Sequence, residues 1–154
     1  MRPITIFFFT FFGVLLISCQ KEKKLKEYLV GFWQTTYIKI EMPTFQKSDT
    51  TSVFEDTFEN HPERIVQSSY HHDGTFTTWS VDKEGERYGD TSGTWHIKGD
   101  SLYLDFFYNE RNIREAYYVE KIKNGFKAIS KYDRDKDGES DDLLLMKTKQ
   151  IIKE

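Results

Sequence analysis

Cysteine is nearly absent. Cys19 is the only one in the 154 residues. No disulfide can form within one molecule, and a free thiol on an exported protein would be a liability. A surplus of positive charge is missing too: 22 Lys+Arg stand against 25 Asp+Glu, a formal net charge of −3. That balance leaves no footprint for nucleic acid. The chain has no Gly-x-Ser-x-Gly, no phosphate-cradling glycine loop and no His-Glu-x-x-His, so no enzyme is expected. Carboxylates are plentiful, and a glycosidase-like pair is the one catalytic arrangement left open. The histidines, His61, His71, His72 and His96, are not expected to bind a transition metal. His71 and His72 are adjacent, and neighbours on a strand point to opposite faces. No helical pattern of roughly 10–15 residues separates the strand-like runs, which argues against a parallel sheet.

What is present begins with an apolar run. After Arg2, the stretch from Ile4 to Ile17 is almost unbroken apolar sequence. It is about 14 residues long, short of the roughly 20 that cross a bilayer as a helix. With small Ser18 at its end it reads as the apolar region of an export signal. Leu16-Ile17-Ser18-Cys19 resembles the bacterial lipobox: an aliphatic residue, a loosely specified one, a small one, then Cys. In such precursors the Cys thiol, alkylated as the thiolate, receives a diacylglyceryl group. The signal is then cut before the Cys, and the new amine is usually acylated. The two chains of one diacylglyceryl unit suffice for stable anchoring. The resemblance implies a lipoprotein signal peptide over 1–18, lipidation of Cys19 and membrane attachment at the bacterial cell envelope. An uncleaved anchor and a plain secretory signal are the alternatives. Some lipoproteins held at the inner membrane carry Asp after the Cys. Here that position is Gln20, which by resemblance points to the outer membrane.

Without residues 1–18 the chain keeps 21 Lys+Arg against 25 Asp+Glu, with eight Phe, nine Tyr and three Trp. That length suits one domain, expected to be a monomer, with a core that needs no disulfide. Residues 19–28 read as the lipidated Cys and a charged tether. The tether is either a solvated spacer or a contact with anionic lipid through Lys21, Lys23, Lys24 and Lys26. Leu25, Tyr28 and Leu29 fit one helical turn that plugs the end of a domain spanning 29–150.

From Gly31 onward the pattern is strands and turns. The first run, 32–41, alternates, with Trp33, Thr35 and Tyr37 on one face. A polar stretch, 44–62, then reads as a long loop with room for a short strand at 52–58. Runs at 64–71 and 75–82 flank Asp73-Gly74, a hairpin signal. Runs at 91–97 and 101–108 flank Lys98-Gly99-Asp100. Runs at 113–122 and 126–132 flank Asn124-Gly125. A last run at 142–149 completes eight strands. An all-β, antiparallel, up-and-down barrel removes the sheet edges such a meander would leave open. A half-open barrel or a β-sandwich is the alternative.

Gly31-Phe32-Trp33 resembles the Gly-x-Trp of lipocalins, and the loop 43–62 sits where lipocalins carry a lid. Asp73-Gly74-Thr75-Phe76, Ser92-Gly93-Thr94-Trp95 and Gly99-Asp100-Ser101-Leu102 are similar to small lipocalin-like domains of bacterial lipoproteins. The resemblance covers 29–149. It implies a cup for a small apolar or amphiphilic molecule, with Trp33, Tyr37, Tyr70, Trp79 and Trp95 as candidate ligand contacts. The basic residue that lipocalins stack on this Trp is not evident; Lys131, Lys147 and Lys149 are candidates. The rival reading is a cavity-poor interaction module using Tyr103, Phe107 or the loop 43–62. A second candidate site is the acidic loop 133–142, which resembles the start of a calcium loop. Asp133, Asp135, Asp137, Glu139 and Asp141 are its candidate ligands, and Gly138 permits the turn. Position twelve, where a bidentate Glu belongs, is Leu144, and Asp142 would have to substitute. No cofactor other than calcium is expected.

Overall fold

The computed structural model describes residues 20–108 and 110–152. The signal expected over 1–18 and the lipidation expected at Cys19 lie outside the described residues. A helix, α1, occupies 20–29. Nine strands follow: β1 Gly31–Met42, β2 Ser52–Asp56, β3 Ile65–Tyr70, β4 Thr75–Val81, β5 Arg87–Lys98, β6 Ser101–Tyr108, β7 Arg111–Ile122, β8 Gly125–Tyr132 and β9 Asp142–Ile151. Among the described residues no helix is long and apolar enough to cross a membrane.

Every strand pairing is antiparallel. From β3 to β9 each strand pairs with its sequence neighbour, and β1 closes the ring by pairing with both β3 and β9. The result is a closed eight-stranded barrel with β2 outside it, as the strand count predicted. β1 shares one of its edges between two partners: Gly31–Gln34 pair with β3, and Ile38–Met42 pair with β2. The short strand suspected inside the loop is therefore β2, a flap on the barrel's flank.

One irregularity in β1 changes which side chains face inward. Thr35 pairs with Thr148 but Tyr37 pairs with Lys147, so Thr36 is an extra, bulged residue. A bulge reverses the alternation beyond it. Trp33 and Thr35 face the interior before it; Ile38, Ile40 and Met42 do so after it. Tyr37, expected on the face of Trp33, points outward instead. Its hydroxyl donates to Glu55 Oε1 at 2.8 Å and its ring carries Lys147 Nζ at 4.5 Å.

The core fills one end of the barrel. Leu25, Leu29, Trp33, Phe76, Trp95, Leu102 and Phe126 are buried together there. The stretch read as a tether supplies part of this core: Leu25 and Leu29, one turn apart on α1, are 5% and 0% exposed. Burying each contributes about 1.5–3 kcal/mol. Polar contacts fix the helix. Trp33 Nε1 donates to Leu29 O at 2.7 Å, satisfying a carbonyl at the helix end. Tyr28 Oη donates to Gly125 O at 2.7 Å, and Gly99 N donates to Glu22 Oε1 at 2.8 Å. The neighbours of Trp33 are aromatic rather than basic, with Phe126 edge-on at 4.9 Å and Tyr28 at 5.7 Å. At the opposite, open end, a smaller cluster of Ile40, Met42 and Leu144 packs with Phe45, Tyr117 and Tyr132.

Candidate functional site

Between the two clusters the barrel encloses a cavity of about 180 Å³. One part of its wall is apolar: Phe76, Leu102, Leu104, Phe106, Phe126 and Met146. The rest carries hydroxyls from Thr35, Ser68, Tyr70, Thr78, Tyr117 and Thr148. Alternation on consecutive strands sets this lining, since directly paired residues share a face: Ser68 pairs with Thr78, and Leu102 with Tyr117. Gly93 permits the close approach of Phe76 and Phe106; a Cβ there would lie 2.6 Å from Phe106 Cβ and 2.9 Å from the Phe76 ring.

The hydroxyls fall into two sets. Ser68 Oγ donates to Thr78 Oγ1 at 3.2 Å, and Thr78 Oγ1 donates to Gln67 O at 3.1 Å. Thr148 Oγ1 donates to Phe126 O at 3.2 Å. These are committed to the wall. The hydroxyls of Thr35, Tyr70 and Tyr117 have no hydrogen-bond partner among the described residues, and none of the three is sealed away from open space. They open onto the cavity. Burial pushes the Tyr70 and Tyr117 hydroxyls up from their ordinary value, and the Glu115 charge adds to the effect at Tyr117. Both remain neutral donors at physiological pH.

Of the candidate ligand contacts, Trp33 and Tyr70 line the cavity. Trp95 lies in the closed-end core, edge-on to Tyr70 at 5.3 Å, with Nε1 donating to His71 O at 3.1 Å. Tyr37 and Trp79 are outside the barrel. Trp79 is buried on the outer face between the Arg87 guanidinium, 3.8 Å from its ring centre, and the Phe32 ring at 6.5 Å. The β3–β4 register places Gln67 opposite Trp79 and Tyr70 opposite Phe76. The inward set on β4 is therefore Phe76 and Thr78, one residue out of step with the candidate Trp79. The inner wall of β6 and β7, including Leu104, Phe106 and Tyr117, was not among the candidates. The alternation at Leu102, Leu104 and Phe106 carried that signal.

The acidic loop lies at the open rim. Side-chain oxygens of Asp133, Asp135 and Asp142 come within 4.8 Å of one another. Asp142 is 1% exposed and accepts from Arg134 N at 2.5 Å and Asp135 N at 3.3 Å. Asp133 accepts from Asp137 N and Gly138 N, both at 3.1 Å. Asp137 accepts from Glu139 N at 2.8 Å, and Thr44 Oγ1 bridges Asp137 and Asp141. Asp137, Glu139 and Asp141 thus stand apart from the converging group, and Asp142 stands in it. The loop also receives the 43–51 segment: Gln46 N donates to Asp135 Oδ2 at 2.6 Å.

Sequential pairing, closure of β1 on β9 and an interior cavity define an up-and-down eight-stranded barrel, the architecture of lipocalins. No family model matches the chain, and no curated protein matches it. Among solved structures it is similar to a lipocalin-like protein from Bacteroides uniformis ATCC 8492, with a TM-score of 0.43 and 13% identity over 80% of this chain and 98% of that one. It is also similar to an uncharacterized protein from Bacteroides eggerthii DSM 20697, with a TM-score of 0.46 and 12% identity over 77% of this chain and 98% of that one.

Proposed function

We propose that the barrel binds one compact, amphiphilic organic molecule in its interior, and that lipid on Cys19 holds it at the bacterial cell envelope. The observation that carries the first part is the set of unpartnered hydroxyls, Thr35, Tyr70 and Tyr117, facing a cavity that is elsewhere apolar or lined by hydroxyls already bonded to the wall. Apolar walls bind a ring or a short chain, and a few placed polar groups orient it. Size narrows the class. Pockets for drug-sized ligands run to about 300–1,000 Å³, whereas an engineered apolar cavity of about 150 Å³ takes up benzene. The 180 Å³ here suits one ring with a short polar arm better than a long acyl chain. We read it as a carrier's site, in which the apolar wall grips the ligand's body and the hydroxyls orient it. Support for the second part is the lipobox-like Leu16-Ile17-Ser18-Cys19, followed at once by a helix docked on the barrel's closed end.

Native mass spectrometry of the purified chain tests the binding reading. The rim carboxylates make calcium the cation to vary, so spectra are compared with calcium and with a chelator. The expected result is a reproducible added mass of an organic molecule. A bare mass in both buffers, with no uptake of added single-ring compounds, would shift the function to protein contacts through outward aromatics such as Phe107, which is 63% exposed.

A further inference from the structure

We propose that Glu115 is an anchor for an amine, so that the barrel's ligand is a compact organic cation whose ammonium pairs with this carboxylate while its apolar body fills the cavity. The inference rests on the binding reading above and adds a charge to it. Along β7, exposed Arg114, Ala116 and Tyr118 alternate with the less exposed Ile113, Glu115 and Tyr117. Glu115 pairs directly with Leu104 and sits two residues from Tyr117, and both of those line the cavity. Alternation therefore puts its side chain on the inner face of β7, next in that row to the cavity-lining Tyr117 and on its mouth side.

That carboxylate has no hydrogen-bond or ion-pair partner among the described residues. Its neighbours of the same charge do. Asp105 takes Arg114 at 2.9 Å on the outer face, and Glu120 takes Lys127 at 3.0 Å. Asp142, the other acid on the inner face near the mouth, is committed to two backbone N–H groups. An unpaired carboxylate beside apolar wall costs free energy. Burial raises its pKa accordingly, and groups perturbed in this way cluster at functional sites. The surroundings favour one sign of ligand. The Glu115 charge acts on the hydroxyls of both Tyr117 and Tyr132, and tyrosine faces attract cations. The mouth beyond carries the acidic loop 133–142, which concentrates cations and repels anions. The β7–β8 ladder ends at Tyr118 and Ile129, so β7 beside Glu115 is paired only with β6.

The test is isothermal titration of the purified chain with three single-ring probes of similar size: 2-phenylethylamine, 2-phenylethanol and 3-phenylpropanoate. The amine should bind about tenfold or more tighter than the alcohol, as a charge-assisted contact provides, and the carboxylate probe should bind most weakly. E115Q should bring the amine down to the alcohol's affinity and leave the alcohol unchanged, which also reports that the variant is folded. The parent series stands without any variant. Alcohol bound as tightly as amine would overturn the role of Glu115 while leaving the cavity reading intact. So would an amine preference that survives in E115Q. No binding of any probe would overturn both.

Discussion

Burial beside Leu104 and Tyr117 lifts the Glu115 carboxyl above its ordinary value. A raised pKa in the folded state means that folding favours the protonated acid. The group's contribution is then fully favourable below the unfolded value, about 4.3, and is lost as pH rises through the folded value. At neutral pH the carboxylate is a liability that the fold carries. The titratable groups facing it, Tyr117 and Tyr132, both have pKa values raised mainly by burial and stay neutral across this range. E115Q, neutral at every pH, should therefore melt above the parent at pH 7, with the gap closing toward pH 4. Thermal unfolding of both proteins at the two values checks this. A gap of the same size at both would place the effect in packing rather than in charge.

At the scale of elements, the helix is the piece most exposed to misreading and most informative once seen. Residues 20–27 are nearly all charged or polar, and composition alone makes them a spacer. The contrary signal is the Leu25, Tyr28, Leu29 spacing, three and four residues apart on one helical face, but three residues are little to weigh against so much charge. Packing decides it, because Leu29 is fully buried against the barrel's closed end. Leu29→Ala should cost about 2–5 kcal/mol, as other buried Leu→Ala changes do, while Lys23→Ala on the exposed face should be close to neutral. Urea midpoints measure both, and equal effects would mean that α1 is not docked in solution. The strands were more legible. Asp73-Gly74 and Asn124-Gly125 marked turns, and Leu102, Leu104 and Phe106 marked an inner face. What could not be read was parity across irregularities. Thr35-Thr36 looks like ordinary alternation, yet the bulge at Thr36 turns Tyr37 out and Ile38 in. The β4–β5 register likewise shifts between Thr78 and Ser80. Trp79, apolar and on a strand, reads from sequence as interior, because sequence carries no sign of the outer-face partners, Arg87 and Phe32, that bury it.

The whole molecule behaves as one unit because nothing in it is independently closed. The closed-end and mouth clusters share Tyr117 and Met146 as packing neighbours. β1 contributes Trp33 to one cluster and Ile40 and Met42 to the other, and its ladder with β9 runs from Phe32 to Glu41. Loss of either end exposes the other. The cavity lies where the clusters meet, lined by Trp33 and Phe126 from one and by Met146 and Tyr117 shared between both. A ligand there stabilises the complete barrel rather than a local segment. Unfolding in urea should accordingly give one transition. Tryptophan fluorescence, which reports Trp33 and Trp95 in the closed end and Trp79 on the flank, should share its midpoint with far-ultraviolet circular dichroism. A saturating ligand should move both midpoints together, since 100-fold excess over Kd adds about 2.7 kcal/mol to a protein that binds only when folded. With 2-phenylethylamine as the probe, a joint shift reports binding to the folded barrel wherever the site lies. A smaller shift in E115Q, with the shift given by 2-phenylethanol unchanged, would place the amine in the interior beside Glu115, and an equal shift in E115Q would place it elsewhere.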